Sequence, residues 1–477
     1  MNSRIDLNTL TIEETRARFQ KGDISARELA AIYEDGIKQK NGELNAYIEI
    51  FEDAFEAAEA IDARLEAGDM PRLLEGIPIA VKDNILIRGK KATAASKILA
   101  NYTASFDATV IGRLRDAGAI LMGRTNMDEF AMGSSTEQSV YGAAKNPHDT
   151  GRVAGGSSGG SAVAVAAAMA MAALGSETGG SIRQPAGFTG VVGLKPTYSA
   201  VSRNGLIAMA SSLDQIGPLA KTVRDAELLF DVIKGKDPKD ATSAEYEARS
   251  SLHEKIVIGV PQEWMRGDGM DADVRTIIER AIETFREAGY EVKEISLPHT
   301  PYALSVYYII VPAEVSANLA RYDGVRYGLS KEGANVIEGY FKTRGAGFGP
   351  EVRRRAILGT YVLSAGYYDA YYRRASRVRR LIAQDFENAF GEVDCIVAPV
   401  SPRPAFKLGE KVKDPLSMYL EDIFLVPANL AGIPALSVPY GVVERDGKKL
   451  PVGVQLIGPR FGEGILFDIG KFLEAHS

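Results

Sequence analysis

Gly76-Ile-Pro-Ile-Ala-Val-Lys82-Asp-Asn84 is a short, unbroken apolar run closed by charge, and Ala119-Ile-Leu-Met122 is a second one. Continuous apolar runs of this length, bounded by turn residues, mark strands buried on both faces. Residues 107–118, between them, place apolar side chains at helical spacing, which makes the segment a βα alternation. The alternation returns downstream, with a strand over 255–261, a helix over 273–289 and a strand over 290–295. Further strands are predicted at 394–400, 435–443 and 452–457, ahead of a final helix. Helices interleaved with buried strands from end to end predict an α/β fold. The architecture expected is one large mixed β-sheet covered by helices on both faces, within a single domain over 1–477.

Around that core the chain changes character. Residues 1–70 form a helical, amphipathic entry region, with capping boxes at Thr11-x-x-Glu14 and Ser25-x-x-Glu28. Between 133 and 217, inside the 72–220 core, Gly, Ser and Ala dominate, as happens where backbone approaches a ligand closely, so the active site is expected there. The run over 162–174 reads as a helix buried on all sides and is too short to span a bilayer. Residues 234–251 read as a polar surface connection, and 301–390 as a helical region rich in Tyr and Arg.

Composition removes whole classes of function. With 477 residues, 45% hydrophobic and 25% charged, the chain folds. Net charge is −6, from 56 Lys+Arg and 62 Asp+Glu, which disfavours direct binding of a polyanion. One cysteine, Cys395, and four histidines leave no internal disulfide and no Cys/His metal cluster, so no metal is expected in this chain and a reducing, cytoplasmic compartment is. The first residues, Met1-Asn-Ser-Arg-Ile-Asp6, lack a signal layout, and no membrane association is expected.

Two Gly/Ser segments carry the chemistry. Gly155-Gly-Ser-Ser-Gly-Gly-Ser161 sits ahead of the Ala-rich run, where helix N-terminal amides attract an anion, although such runs are also plain turns. It lacks the Gly-Lys-Ser/Thr ending of a phosphate loop. Gly155-x-Ser157-x-Gly159 matches a nucleophile elbow, but residues 150–154 are not a convincing strand before it. Glu177-Thr-Gly-Gly-Ser181-Ile-Arg-Gln-Pro185 leaves several backbone N–H groups free to meet at one spot, as a developing oxyanion requires. A serine nucleophile needs a base. His253, His299 and His476 lie in polar, terminal or loop-like sequence and read as surface residues. Most lysines are solvated too, but Lys82 emerges at the end of an apolar strand, where α/β enzymes gather catalytic groups and where desolvation keeps an amine neutral. No lysine stands in a Ser-x-x-Lys spacing.

Ile77-Pro-Ile-Ala-Val-Lys82-Asp-Asn84, Gly155-Gly-Ser-Ser-Gly-Gly-Ser161, Thr178-Gly-Gly-Ser-Ile-Arg-Gln-Pro-Ala186 and Gly190-Val-Val-Gly-Leu-Lys-Pro-Thr197 together resemble the amidase signature family. Ser157 precedes Ser181 by 24 positions and follows Lys82 by 75, the family's spacing. The resemblance implies the amidase-signature fold, with Ser181 as nucleophile, Ser157 as relay hydroxyl on a cis peptide, and Lys82 as base. Thr178, Gly179 and Gly180 would surround the oxyanion. Asn126-Met-Asp-Glu-Phe-Ala-Met132, Ser211-Ser-Leu-Asp-Gln-Ile-Gly-Pro218, Asn318-Leu-Ala-Arg-Tyr-Asp-Gly324 and Pro427-Ala-Asn-Leu-Ala-Gly432 resemble, within the family, glutaminase subunits of amidotransferases that amidate a misacylated tRNA. That implies glutamine as amide donor, the B and C subunits of such an amidotransferase as partners, and glutamyl-tRNA(Gln) reached through the complex. It also implies no cofactor in this chain, with ATP and magnesium used by a partner.

A glutaminase needs a cation and an anion for the α-carboxylate and α-ammonium of its substrate. By resemblance these are Arg355 and Asp422, with Tyr307 lining the pocket. The plain alternatives are a solvated helix face for 353–355, a helix cap for Asp422 and an ordinary core tyrosine. The chain departs from the family at Glu177, usually Asp, which is expected to shift the Ser181 turn, and at Tyr198-Ser-Ala-Val201, usually Tyr-Gly-Arg-Val, which loses a cation that would face tRNA or another subunit. Met169 and Met171 read as core packing. Two rival functions share these residues, a stand-alone amidase on another small or aryl amide and a silent assembly subunit.

Overall fold

The structure, a computed structural model, describes residues 6–266 and 269–477. The reading of the N-terminus rests on residues 1–5, which lie outside the described residues. In chain order the described strands are β1 Tyr47–Ile50, β2 Pro78–Lys82, β3 Ile120–Thr125, β4 Lys145–Asn146, β5 Asp149–Val153, β6 Ala172–Glu177 and β7 Val192–Lys195, followed by β8 Gln215–Ala220, β9 Val257–Pro261, β10 Glu291–Ile295, β11 Cys395–Pro399, β12 Ala435–Arg445 and β13 Lys448–Ile457. Eleven of them form one sheet in the order β1-β3-β2-β6-β8-β7-β12-β13-β11-β9-β10, and β4 with β5 makes a separate ribbon.

The sheet is mixed. β2 runs parallel to both β3 and β6, and β9 parallel to both β10 and β11, while β12 and β13 form an antiparallel hairpin. The two expected crossovers are helices Thr109–Asp116 and Ala272–Glu287. The second buries Val274, Ile277, Ile278, Ala281, Ile282 and Phe285, the three-and-four spacing that lays one helical stripe on a sheet. Alternate residues of β11 enter different cores: Cys395 and Val397 join one cluster, Ile396 and Ala398 another. Helices Ala26–Leu44, Val223–Ile233 and Glu463–Glu474 feed the first, and Ala303–Asn318 and Arg374–Ala389 the second, so both faces are covered. Both expected capping boxes are present, at Thr11 and Ser25.

Three readings need correction. The entry region is not wholly helical, because β1 lies between its helices and pairs with β3. The small-apolar run is not one helix: helix Gly159–Ala166 ends, Ala168 turns through φ 52°, and β6 begins at Ala172. Small apolar residues fit a buried helix and a central strand equally well, and no polar face exists to reveal the period. Met169 and Met171 are buried at this junction, as packing residues. Finally, 149–153 is a strand after all, although it pairs with β4 and bridges to Lys407 and does not join the eleven-stranded sheet. Residues 300–321 are long and apolar enough to cross a membrane by length and composition, but half of that window is buried inside the protein, and the helix packs along Pro350–Leu363 and Arg374–Ala389.

Candidate active site

Parallel pairing of β2 with β6, Ile79 opposite Ala172 and Val81 opposite Leu174, aligns the C-terminal ends of the two strands. Open α/β sheets collect their reactive groups at such ends. Lys82, the last residue of β2, is fully buried, with Nζ 2.8 Å from Ser157 Oγ, 2.8 Å from Ser158 Oγ and 3.0 Å from the Ser176 carbonyl oxygen. Ser158 Oγ donates its one proton to that same carbonyl at 3.1 Å, so toward the amine it is an acceptor. Two amine protons are thereby fixed. The direction left over faces Ser157, and a neutral amine aims its lone pair there.

Burial, the largest influence, pushes the Lys82 amine down to about 7, against the pull of Asp128, Glu177 and Asp214. An ordinary lysine is neutral in roughly one molecule in a few thousand at pH 7, whereas about half the molecules are neutral when the midpoint is near 7. The charged form is disfavoured by roughly 5 kcal/mol relative to water. That is enough to keep a large fraction of the amines neutral near pH 7.

The Gly156–Ser157 peptide is cis, as the family resemblance implies. Asp128 holds this turn from outside. Its N–H donates to the Ser157 carbonyl at 3.2 Å, and its carboxylate accepts from the N–H groups of Thr136 at 2.8 Å, Gln138 at 3.1 Å and Ser135 at 3.4 Å. Any side chain at position 156 would collide with that carboxylate. Burial pushes Asp128 up to about 6.

Ser181 follows β6 in the second turn. The carboxylate of Glu177 accepts from the N–H groups of Ile182 at 2.9 Å and Arg183 at 3.1 Å, from Arg183 Nε at 2.9 Å and Nη2, and from Asn429 Nδ2 at 3.1 Å. Burial alone would raise the Glu177 carboxyl, but Arg183 overrides it and holds the group below its usual range. Among the described residues the N–H groups of Gly179, Gly180 and Ser181 have no acceptor, and Ser181 Oγ makes no hydrogen bond. The Ser181 carbonyl accepts from Ser158 N–H at 3.0 Å, which ties the two serine turns together.

Tyr307 and Asp422 press on the glycines of this turn. A β-carbon at 179 would lie 2.6 Å from the Tyr307 phenol oxygen, and one at 180, where φ is 139°, would lie 2.6 Å from Leu425 Cδ1 and 3.4 Å from Asp422 Oδ1. Thr178 Oγ1 is 3.2 Å from the Tyr307 hydroxyl, and burial raises that phenol well above its ordinary range. Asp422 is buried, accepts from Ser134 Oγ at 2.7 Å and is pushed up to about 8 by burial, with Ser134 and Arg355 opposing. It closes the short turn Leu420–Asp422 rather than capping a long helix. Of the three consecutive arginines on helix Pro350–Leu363, Arg355 alone is buried. Its Nε donates to Glu351 at 2.8 Å, and its guanidinium lies over the stacked rings of Tyr308 (5.3 Å) and Tyr419 (5.5 Å). Tyr419 donates to the same Glu351 at 2.7 Å. A cavity of about 30 Å³ separates Arg355 from Ser134 and Ser135.

The structure thus gathers Lys82, Ser157, Ser181, Thr178, Gly179, Gly180, Tyr307, Arg355 and Asp422 around the ends of β2 and β6. The histidines sit elsewhere, His253 against Asp394 and His299 against Asp385, both at 2.9 Å. Among the described residues no three His, Cys, Asp or Glu side chains gather to hold a metal ion. Sequence reasoning missed Ser158, Asp128 and Glu351. Ser158 is adjacent to Ser157 and nothing in spacing separates them, whereas Asp128 ahead of Gly133-Ser-Ser-Thr136 carried the signal of a carboxylate closing a polar turn. At the other departure from the family, Ser199 takes φ 87° where the family has glycine, and its hydroxyl accepts from Arg460 at 3.0 Å. Ala200 is fully buried and packed.

A buried lysine thus lies beside two serine turns and a set of free amides, and the Amidase family model matches residues 28–467. The chain belongs to the amidase signature family. It is 52% identical to the A subunit of glutamyl-tRNA(Gln) amidotransferase from Koribacter versatilis, over 98% of this chain and 99% of that one. The protein of the same name from Roseiflexus castenholzii is 54% identical, over 97% and 95%. The crystal structure of the corresponding glutamyl-tRNA(Gln) amidotransferase chain from Thermotoga maritima superposes with a TM-score of 0.80 at 43% identity, covering 99% of this chain and 96% of that one.

Proposed function

We propose that this chain is the glutaminase of a glutamyl-tRNA(Gln) amidotransferase. Neutral Lys82 accepts the Ser157 proton, Ser157 accepts that of Ser181, and Ser181 Oγ attacks the side-chain amide carbon of glutamine. The Ser181 hydroxyl turns toward Ser157 as substrate fills the site, since catalytic hydrogen bonds often close only in the complex. The N–H groups of Thr178 to Ser181 hold the oxyanion. The proton returns from Lys82 through the Ser157 hydroxyl to the leaving nitrogen, the C–N bond breaks, ammonia departs, and a glutamyl ester remains on Ser181. Water, deprotonated by the relay, cleaves that ester to glutamate.

Arg355 receives the α-carboxylate of glutamine and Asp422 its α-ammonium, with Glu351 fixing the guanidinium. Free ammonia protonates and diffuses away, so it passes to an amidating partner, the B subunit, held together with the C subunit in a cytoplasmic complex. ATP and magnesium would serve the amidation of glutamyl-tRNA(Gln) on that partner. The observation that carries the reading is the contact between the Lys82 amine and Ser157 in a fully buried pocket, beside a turn with free amides.

The test is the chain co-purified with both partner subunits. Glutamine hydrolysis and, with ATP, magnesium and glutamyl-tRNA(Gln), formation of glutaminyl-tRNA are expected, and an assembled complex that hydrolyses no glutamine contradicts the reading. Within it, Arg355→Ala should raise KM for glutamine by about 10- to 100-fold, the worth of a charge-assisted pair, with a smaller change in kcat. Undiminished glutamine turnover in that variant would point to an amidase for a different substrate.

A further inference from the structure

Residues 126–136 leave the end of β3 and run past three parts of the candidate site. Asp128 holds the Ser157 turn, and Ser134 donates to Asp422. Glu129 lies between them in sequence and is buried, at 5% exposure. Its side chain reaches the start of helix Pro350–Leu363, which carries Glu351 and Arg355. Oε2 accepts from the Gly349 N–H at 2.8 Å, and Oε1 accepts from the Ser96 hydroxyl, which also lies 3.2 Å from the Gly347 carbonyl oxygen. A β-carbon at position 349 would stand 2.3 Å from Oε2, so the carboxylate fills space that only glycine leaves open.

The next residue reinforces the grip. The Phe130 ring meets that of Phe348 edge to face at 5.8 Å and that of Tyr322 at 5.1 Å. Phe130 and Ala131 take φ of 49° and 61°, left-handed backbone that persists at such residues only where the surroundings hold it. Residues 129 and 130 thus secure 349 and 348, where the chain turns into the helix. Arg355 follows Gly349 by six residues, about 9 Å along a helix axis, too short a span for the helix to bend. Glu351, the partner of the guanidinium, is two residues from the same anchor. Neither Glu129 nor Gly349 lines the cavity beside Arg355, so any influence on a ligand there passes through the helix. Burial raises the Glu129 carboxyl to about 7, against Ser96, the Gly349 N–H and the charges of Arg353 and Lys97, so the carboxylate prevails at pH 8.

We infer that Glu129 is a positioning residue: by holding the Gly349 N–H it sets the first turn of helix Pro350–Leu363, and with it the place of Arg355 against the α-carboxylate of glutamine. The inference rests on the functional reading above, which gives that carboxylate to Arg355. The test is steady-state kinetics at pH 8 on the complex co-purified with both partner subunits. Glu129→Ala should raise KM for glutamine about 10-fold and leave kcat within about twofold, the split expected when binding geometry alone is lost. Glu129→Gln, which keeps a carbonyl for the Gly349 N–H, should recover most of that loss. Gly349→Ala, at a φ of −71° that any residue adopts, displaces the carboxylate and should raise KM as much; it serves if Glu129→Ala loses the wild-type melting temperature. Turnover of butyramide, which lacks the α-carboxylate and α-ammonium, should stay within about twofold in both variants. In an Arg355→Ala background, Glu129→Ala should add less than about twofold to KM, because the group it positions is gone.

A wild-type KM in Glu129→Ala and Gly349→Ala overturns the inference and leaves the functional reading standing. So do equal losses on glutamine and butyramide, which would put the damage at the Ser157 turn through Asp128. Effects of Glu129→Ala and Arg355→Ala that multiply in the double variant overturn it too. An assembled wild-type complex that turns over no glutamine sinks the functional reading and this inference together.

Discussion

Ser181→Ala should reduce glutamine hydrolysis by about 10⁴-fold or more while leaving the melting temperature within the error of the wild type. The hydroxyl makes no hydrogen bond among the described residues, and the turn is held by its neighbours: Glu177 chelates the N–H groups of Ile182 and Arg183, and the Ser181 carbonyl accepts from Ser158. Removing one oxygen therefore removes the nucleophile and little else. Denaturing mass spectrometry after an acid quench should show a glutamyl adduct on wild-type Ser181 and none in the variant. An adduct on Ser157 or Ser158 would assign the attack to the wrong turn.

Lys82→Met should cost about 10³- to 10⁴-fold in kcat, the range for losing a positioned base, and should not destabilise the fold. The substitution fills the same space, and it removes an amine whose desolvation opposes folding. The wild-type pH profile follows from two buried groups. Lys82 is active when neutral and Asp422 when ionised, so both make activity rise with pH. Lys82 should give a rising limb centred near 7 in kcat, and Asp422 should extend the rise of kcat/KM toward 8. Asp422→Asn should remove the upper part and raise KM, while the limb near 7 persists. A profile of kcat that falls with pH across this range would be incompatible with a neutral amine as base.

How far the sequence carried these expectations depended on whether burial left a pattern. β2, β9 and β11 are unbroken apolar runs with turn residues at their ends, so their place in a sheet was readable, and with it the position of Lys82. β6 was hidden inside an Ala-rich run because alanine and glycine carry no periodic contrast. The two glycine-rich turns at 155–161 and 177–185 were legible as a place for chemistry, since only close backbone approach calls for so little side chain. What they bring together was not legible: Asp128 reaches the Ser157 turn, and Ser134 reaches Asp422 across a separation of 288 residues. Similarly, three consecutive arginines on one helix differ by rotation alone. Only the stacked Tyr308 and Tyr419, brought from distant elements, determine that Arg355 is the one turned inward.

The amine of Lys82 can be observed directly. With ¹⁵N-labelled lysine, and Lys82→Met to assign the resonance, the Nζ shift of the resting enzyme followed from pH 5 to 10 should titrate near 7. The neutral signal should dominate above that value. A resonance that stays that of an ammonium up to pH 10 would mean that no free lone pair faces Ser157, and the serine relay would have no base to start it.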